Sequence, residues 1–360
     1  MLWILWLSIA LCVAVAITCV VVSRYRTSVR ERKVVVAAKT IDANQNDVAK
    51  AVDEMDAKQW LANFLSRFKD IPEDHVIIMS AHCSILSFLE AQHESIQAFC
   101  KVPYTYIVLN DADISTRPKQ HEAIHDYCKR YNIHHVPIPE MMHRNRNVIF
   151  PEDGSSIKNL DHNDPSCRAS VGVQIMTHLF RTHKGYCLML DSDSSFVNTF
   201  DPHVILPKNS PETYGANTQY KGPPEHRISY IWIPFVLFDM SRFPHPEWMN
   251  LDVGNVDGIQ LDTGGKWCYY MKKMQETENP PNPPYKEFTC LYGKNTNNEA
   301  VKKFIVDNPD MHVETAEFYE DCLLHLHNGS GWNDFNRDIQ KERAKRFLEF
   351  IRQLIHTAAT

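Results

Sequence analysis

The alternation of apolar and polar positions divides the chain into three regimes. From Leu2 to Val22 the run LWILWLSIALCVAVAITCVVV holds neither a charged side chain nor a proline. These twenty-one residues would reach about 31 Å as a helix, enough to cross a bilayer core. The pattern therefore predicts a transmembrane helix, with Trp3 and Trp6 at one interface and Arg24, Arg26, Arg30, Arg32 and Lys33 beyond the other. The alternative is a cleaved signal peptide with Ala14-Val15-Ala16 as its cleavage motif. The length of the run and the lack of a basic segment ahead of it favour a retained anchor. In the second regime, residues 47–69 space Val48, Val52, Met55, Leu61, Phe64 and Phe68 at helical intervals, which predicts a stem helix docked on the body.

From residue 73 onward, short apolar runs alternate with helical stretches. HVIIMSA (75–81), YTYIVLN (104–110), HHVPIP (134–139) and YCLMLD (186–191) read as strands, and 84–100, 119–131 and 169–183 as the helices between them. Strand alternating with helix implies a parallel, doubly wound α/β sheet covered on both faces. Ligands in such sheets bind beyond the carboxyl ends of the strands. That rule points to Ser80-Ala81-His82, Asn110-Asp111-Ala112-Asp113 and Asp191-Ser192-Asp193. The polar stretch 141–167 is long for a connection, so it is either disordered or a binding lid. Further on, 229–240 reads as a core strand and the segment from Gly265 through Met274 as a helix. Residues 279–286 read as a proline-rich loop and 322–328 as a strand. A closing helix is expected over 333–357, with Phe335, Ile339, Phe347, Phe350 and Ile351 on its apolar side.

Composition changes this picture little. The 360 residues include 38 basic and 44 acidic side chains, a net charge of −6, which argues against a protein that coats nucleic acid. The length suits one large α/β domain or two small ones. Cys83, Cys100, Cys128, Cys167, Cys187, Cys268, Cys290 and Cys322 are scattered without a CxxC pair, so they indicate neither a disulfide framework nor a cysteine metal site. Asn328-Gly329-Ser330 is the single glycosylation sequon. The basic residues after the apolar run would hold the bulk of the chain on the cytosolic side.

The strongest chemical signal is YCLMLDSDSSFVN (186–198). An apolar strand ends in Asp191-x-Asp193, and two hard oxygen ligands at a strand exit suit Mn²⁺ or Mg²⁺. The plainer alternative is an Asx-type turn in which the aspartates bond nearby backbone N–H groups. Two other segments stand out, HLHNGSGW (325–332) and GIQLDTGGKWCYYM (258–271). The His-x-His of the first also fits a zinc pair or two partly buried histidines. In the second, Asp262 also fits a helix N-cap, and Gly264-Gly265 would let a backbone approach a ligand.

With Asp191-x-Asp193 followed by Val197-Asn198, the chain resembles the GT-A glycosyltransferases, over about residues 73–332 as an arrangement of elements. The resemblance implies a GT-A type doubly wound mixed sheet with a Rossmann-like nucleotide-binding half. It also implies a metal-dependent transfer of sugar from a nucleotide-diphosphate donor to a glycan, lipid or protein acceptor. Asp191 and Asp193 would hold the metal and diphosphate, with His327 as a further ligand and His325 as its alternate, followed by Trp332 on the donor side. Asp262 would be the catalytic carboxylate, with Gly264 and Gly265 near the donor. Ser80 and Asp111, with His82 and Asp113 as alternatives, would meet the nucleoside, and Arg168 a phosphate. The resulting plan is an anchor (1–23), a basic flank and stem helix (24–72), a transferase domain (73–332) and a C-terminal helix (333–360). By analogy with anchored members of the superfamily the domain would lie in the Golgi or ER lumen, against the cytosolic side that the basic cluster indicates. A metal-dependent hydrolase and a catalytically silent membrane sugar-binding protein are the competing readings. A nucleotidyltransferase is disfavoured because SAHCSIL, after the first strand, lacks both glycine and lysine.

Overall fold

The structure, a computed structural model, describes residues 45–151, 164–277, 285–292, 296–311, 316–327 and 337–359. The chain divides into two compact units, Met1–Asp56 and Ala57–Thr360. Of the first, residues 45–56 are described, and they are helical. They open helix α1 (Gln45–Arg67), whose Leu61 and Phe64 are buried, as is Phe68 just beyond it, whereas Met55 is exposed.

The second unit is built on a seven-stranded mixed sheet. Its parallel half holds β1 (Val76–His82), β2 (Tyr104–Asn110), β3 (His134–Pro137) and β4 (Tyr186–Leu190), connected through α2 (Leu86–Phe99), α3 (Pro118–Arg130) and α4 (Pro165–Phe180). These strands are continuous apolar runs because both of their faces are covered. Ile77, Met79, Ile107, Leu109, Cys187 and Met189 face the core beneath α4, while Ile78, Val108, Leu188 and Leu190 face the opposite core. Helix α4 starts at Pro165, four residues before the expected position. Asp164 caps it, its carboxylate accepting from the Ser166 and Cys167 amides, and proline occupies the first turn, where its missing N–H costs nothing.

Three further strands complete this sheet. The long β7 (Ile228–Asp239) runs antiparallel to β4 and to β6 (Tyr214–Lys221), with β10 (Tyr285–Glu287) at the edge beside β6. The strand order is β10-β6-β7-β4-β1-β2-β3. The chain steps outward from β1 to β3 and then returns to the other side of β1 as β4, which creates the crevice between carboxyl ends where open α/β sheets bind ligands.

A smaller antiparallel sheet has the order β11 (Cys290–Tyr292), β12 (Ala316–Tyr319), β13 (Leu323–Leu326), β5 (Ser194–Phe196). A short hairpin, β8 (Gly254–Val256) and β9 (Ile259–Leu261), and helix α5 (Trp267–Thr277) pack on β7 of the large sheet, while helices α6 (Glu299–Asp307) and α7 (Arg337–Ala359) pack against the small one. Helix α7 buries Phe347 and Ile351 in a cluster with Phe88 of α2. Its Ile339 is exposed, so it does not belong to the expected apolar side. Phe335 and the candidate residues Asn328 and Trp332 lie outside the described residues.

One expectation is corrected. The apolar run 2–22 lies outside the described residues, and among those described no helix is long and apolar enough to cross a membrane. The two longest helices, α1 and α7, carry charged side chains along their length. The fold class becomes a mixed α/β sheet without a membrane helix among the described residues. The membrane contact through residues 2–22 and the single-pass location expected with it are withdrawn.

Candidate functional site

The site lies where β4 ends and β5 begins. Asp191 follows the last residue of β4, and Asp193 immediately precedes β5. The chain therefore passes from the large sheet into the small one within this acidic turn. The turn is braced by backbone: Asp191 N donates to Pro234 O at 3.2 Å, and Ser194 N donates to Asp191 O at 3.2 Å. In the small sheet, β13 pairs with β5 so that His325 stands opposite Ser194, and β12 pairs with β13 so that Glu317 stands opposite His325. Glu320 and Asp321 make the tight link between β12 and β13, with φ of 49° and 54°.

This register carries the His325 ring to the carboxylates. His325 Nε2 lies 3.2 Å from Asp193 Oδ1, and Nδ1 lies 2.8 Å from Glu317 Oε2. One ligand atom from each of Asp191, Asp193 and His325 falls within 4.8 Å of the others. Two carboxylate oxygens and an imidazole nitrogen at that spacing form a donor set that fits a divalent cation such as Mn²⁺ or Mg²⁺. Burial, reinforced by the neighbouring Asp193 charge, pushes the Asp191 carboxyl up to about 6. Burial alone would lower His325, but its hydrogen bonds to Asp193 and Glu317 overcome it and raise the imidazole to about 10. Burial likewise opposes ionisation of Glu317, yet contacts with His325, Tyr319 and Trp232 hold it at about 2. His325 thus holds its proton between two carboxylates, and a divalent cation taking Nε2 would displace that proton while meeting the charge of Asp191 and Asp193.

The three residues open onto a cavity of about 560 Å³ that Asp111, Asp262 and His327 also line. Its described lining holds five aspartates and two histidines but neither lysine nor arginine. Asp262 is half-buried at the cavity wall, and its Oδ1 accepts from the Thr263 amide at 2.7 Å. Gly264 and Gly265 shape the turn behind it. Gly264 has φ +88°, and a Cβ there would come within 2.6 Å of Ile231 O. Their amides are spent on Leu251 O and Asp262 O, so neither N–H is offered to a phosphate.

Other expected residues are placed differently. The closest imidazole is His325, while His327 lines the same cavity just past the end of β13, its ring 5.4 Å from Trp232 and 6.0 Å from His325. Ser80 and His82 are buried beneath the acidic turn: Ser80 Oγ is 3.0 Å from both His82 Nε2 and Tyr106 Oη. Asp111 accepts from His143 Nε2 at 2.7 Å. Arg168 is 3.6 Å from Asp111 and 3.2 Å from Glu140, so its guanidinium is already engaged by carboxylates. Asp113 folds back on its own loop, accepting from Ser115 and Thr116. Sequence reasoning missed Glu317 and Gln92, which hold the site from behind, and Trp232, which lines it. For Glu317 a signal existed, since EFYEDCLLH reads as a hairpin that sets a carboxylate across from an imidazole. For Gln92 there was none.

No family model matches the chain, and no curated protein matches it. Several solved structures are similar to it in part. The apo WbbM bifunctional glycosyltransferase is 10% identical with a TM-score of 0.32, over 48% of this chain and 32% of that one. A mannosyltransferase from Pyrobaculum calidifontis, in complex with GDP-Man and Mn²⁺, is 8% identical with a TM-score of 0.26, over 87% and 85%. The apo glycosyltransferase GlyE of Streptococcus pneumoniae is 12% identical with a TM-score of 0.27, over 79% and 64%. This chain is distantly similar to glycosyltransferases. It spans about a third of the length of the first of these structures, and likeness at these scores carries no argument about chemistry, which rests on the side chains described above.

Proposed function

We propose that the protein is a metal-dependent glycosyltransferase of the GT-A type, moving a sugar from a nucleotide-diphosphate donor to a hydroxyl of a glycan, lipid or protein acceptor. The observation that carries this reading is the convergence of Asp191, Asp193 and His325 at the carboxyl end of β4, facing a cavity of small-molecule size. A bound Mn²⁺ or Mg²⁺ would supply positive charge for the departing diphosphate. The lining supports that need, because its described residues hold no basic side chain to meet a phosphate.

Each protein group then has a role. Asp191 and Asp193 hold the cation, and His325 completes the donor set. Glu317 orients the imidazole from the opposite nitrogen, as outer carboxylates commonly do for metal-bound histidines. Asp262, which lines the same cavity, binds the acceptor hydroxyl and takes its proton if the reaction inverts at the anomeric carbon. Trp232 walls the cavity beside His327 with an apolar face suited to a sugar ring.

The test is release of free nucleoside diphosphate from a panel of sugar nucleotides with Mn²⁺, with and without chelator, while sugar transfer to added acceptors is followed. Chelator-sensitive release with transfer to an acceptor supports the reading. Release to water alone across the acceptor panel would favour a hydrolase, and no release from any donor would reject the proposal.

A further inference from the structure

Helix α2 sends one polar side chain into the ground beneath the acidic turn. Gln92 is fully buried. Its Nε2 donates to Asp191 O at 2.7 Å and to Ser194 O at 2.8 Å, so one amide spans the Asp-x-Asp turn from end to end. Its Oε1 accepts from Tyr106 Oη at 2.7 Å and lies 3.1 Å from His82 Nε2. The arrangement permits one orientation of the amide. The two carbonyls can only accept, so the nitrogen must face them, and the tyrosine hydroxyl and imidazole N–H must serve the oxygen. Ser80, hydrogen-bonded to both of those donors, closes the network.

We infer that Gln92 is a positioning residue of the metal site: by clamping the carbonyls of Asp191 and Ser194 it sets the spacing at which Asp191 and Asp193 face a cation. This inference rests on the metal reading proposed above. A neutral side chain with two donors is what the place requires. A carboxylate would repel both carbonyls, and an apolar side chain would strip the Ser194 carbonyl of this donor and leave Asp191 O with the 3.2 Å bond from Ser194 N, which is costly. Ser80 and His82 thereby acquire a function other than touching the nucleoside, because they hold the clamp. Ser95, one turn further along α2, offers a built-in contrast. Its Oγ accepts from Phe196 N at 3.0 Å, tying the helix to β5 without touching the acidic turn.

The experiment measures Mn²⁺ binding to the full chain by the loss of the free-ion EPR signal, for the wild type, Gln92→Met, Tyr106→Phe and Ser95→Ala. Thermal unfolding is followed in parallel. Methionine matches the glutamine in shape and removes both donors. Gln92→Met is expected to weaken Mn²⁺ binding 10- to 100-fold, the range found for outer-shell partners of metal ligands. Tyr106→Phe, which keeps the clamp but frees its oxygen, is expected to weaken it measurably but by less than Gln92→Met does. Ser95→Ala is expected to lower the melting temperature and leave Mn²⁺ affinity unchanged. A general loss of packing would move stability and affinity together in all three variants. If the wild type binds Mn²⁺ and folded Gln92→Met binds it equally well, the inference is overturned while the metal reading stands. Should Gln92→Met fail to fold, unaltered affinity in Tyr106→Phe overturns it instead. A wild type that binds no Mn²⁺ rejects the metal reading and this inference with it.

Discussion

At the scale of single residues, the site depends on which histidine the small sheet delivers. His325 and His327 are two positions apart, and a sequence reading sees both at the end of one apolar run. The ladder separates them, because His325 is paired with Ser194 while His327 lies past the last paired residue. Asp193→Ala and His325→Ala should each reduce Mn²⁺-dependent donor turnover at least 100-fold, and His327→Ala less than tenfold. Initial rates for the purified variants at saturating donor check this ranking, and an equal loss at His327 would reverse the assignment. A second prediction concerns pH and a histidine remote from the site. Burial, aided by the Arg181 charge, holds His178 at about 4, down from its ordinary 6.5. Its Nε2 donates to Ile149 O at 2.5 Å. Between pH 6.5 and 4 the unfolded chain takes up a proton that the folded chain refuses, so the stability this residue contributes is present above pH 6.5 and is lost as pH falls to 4. The loss is at most about 3 kcal/mol. His178→Gln, which keeps a donor and removes the titration, should flatten the fall in melting temperature across that window.

At the scale of elements, the sequence pattern is most legible where strands are buried on both faces. VIIM, YIVL and CLML are continuous apolar runs, and β1, β2 and β4 sit within a residue or two of the expected bounds. The small sheet is nearly illegible by the same rule. Strand β5 is Ser-Ser-Phe, and its two serines are buried where β13 pairs with them and α2 packs on them. Strand β10 lies at a sheet edge beside a proline-rich stretch that reads as loop. Strand β6 alternates poorly, its second half emerging into solvent. The acidic turn and the strand β13 that brings its imidazole could therefore be located from sequence, but not β5, the strand that pairs the two. Helix α7 is legible as an amphipathic element even though Ile339 misleads. Phe347 is fully buried against Phe88, and Phe347→Ala should destabilise the fold by about 3–5 kcal/mol. Urea unfolding of the variant, with unchanged m-value, would measure that cost.

At the scale of the whole molecule, the metal reading makes stability depend on ligand. If Mn²⁺ binds the folded chain alone, adding it at about 100 times its Kd should stabilise the protein by about 2.7 kcal/mol, raising the melting temperature by several degrees. Chelator should reverse the shift, and Asp193→Ala should abolish it. The position of the acidic turn, between the last strand of one sheet and the first of another, has a further consequence. Asp191 leaves the large sheet, whereas His325 enters from a strand far downstream that pairs only with the small one. A nascent chain that has passed β5 already carries both carboxylates but has no imidazole beside them until residue 325, in its last tenth, emerges and β13 pairs with β5. On the metal reading proposed above, a half-made chain would lack one ligand of the site. Under that proposal the metal site would be completed only after the hairpin of β12 and β13 has locked into place, so the order of synthesis itself would act as a safety catch.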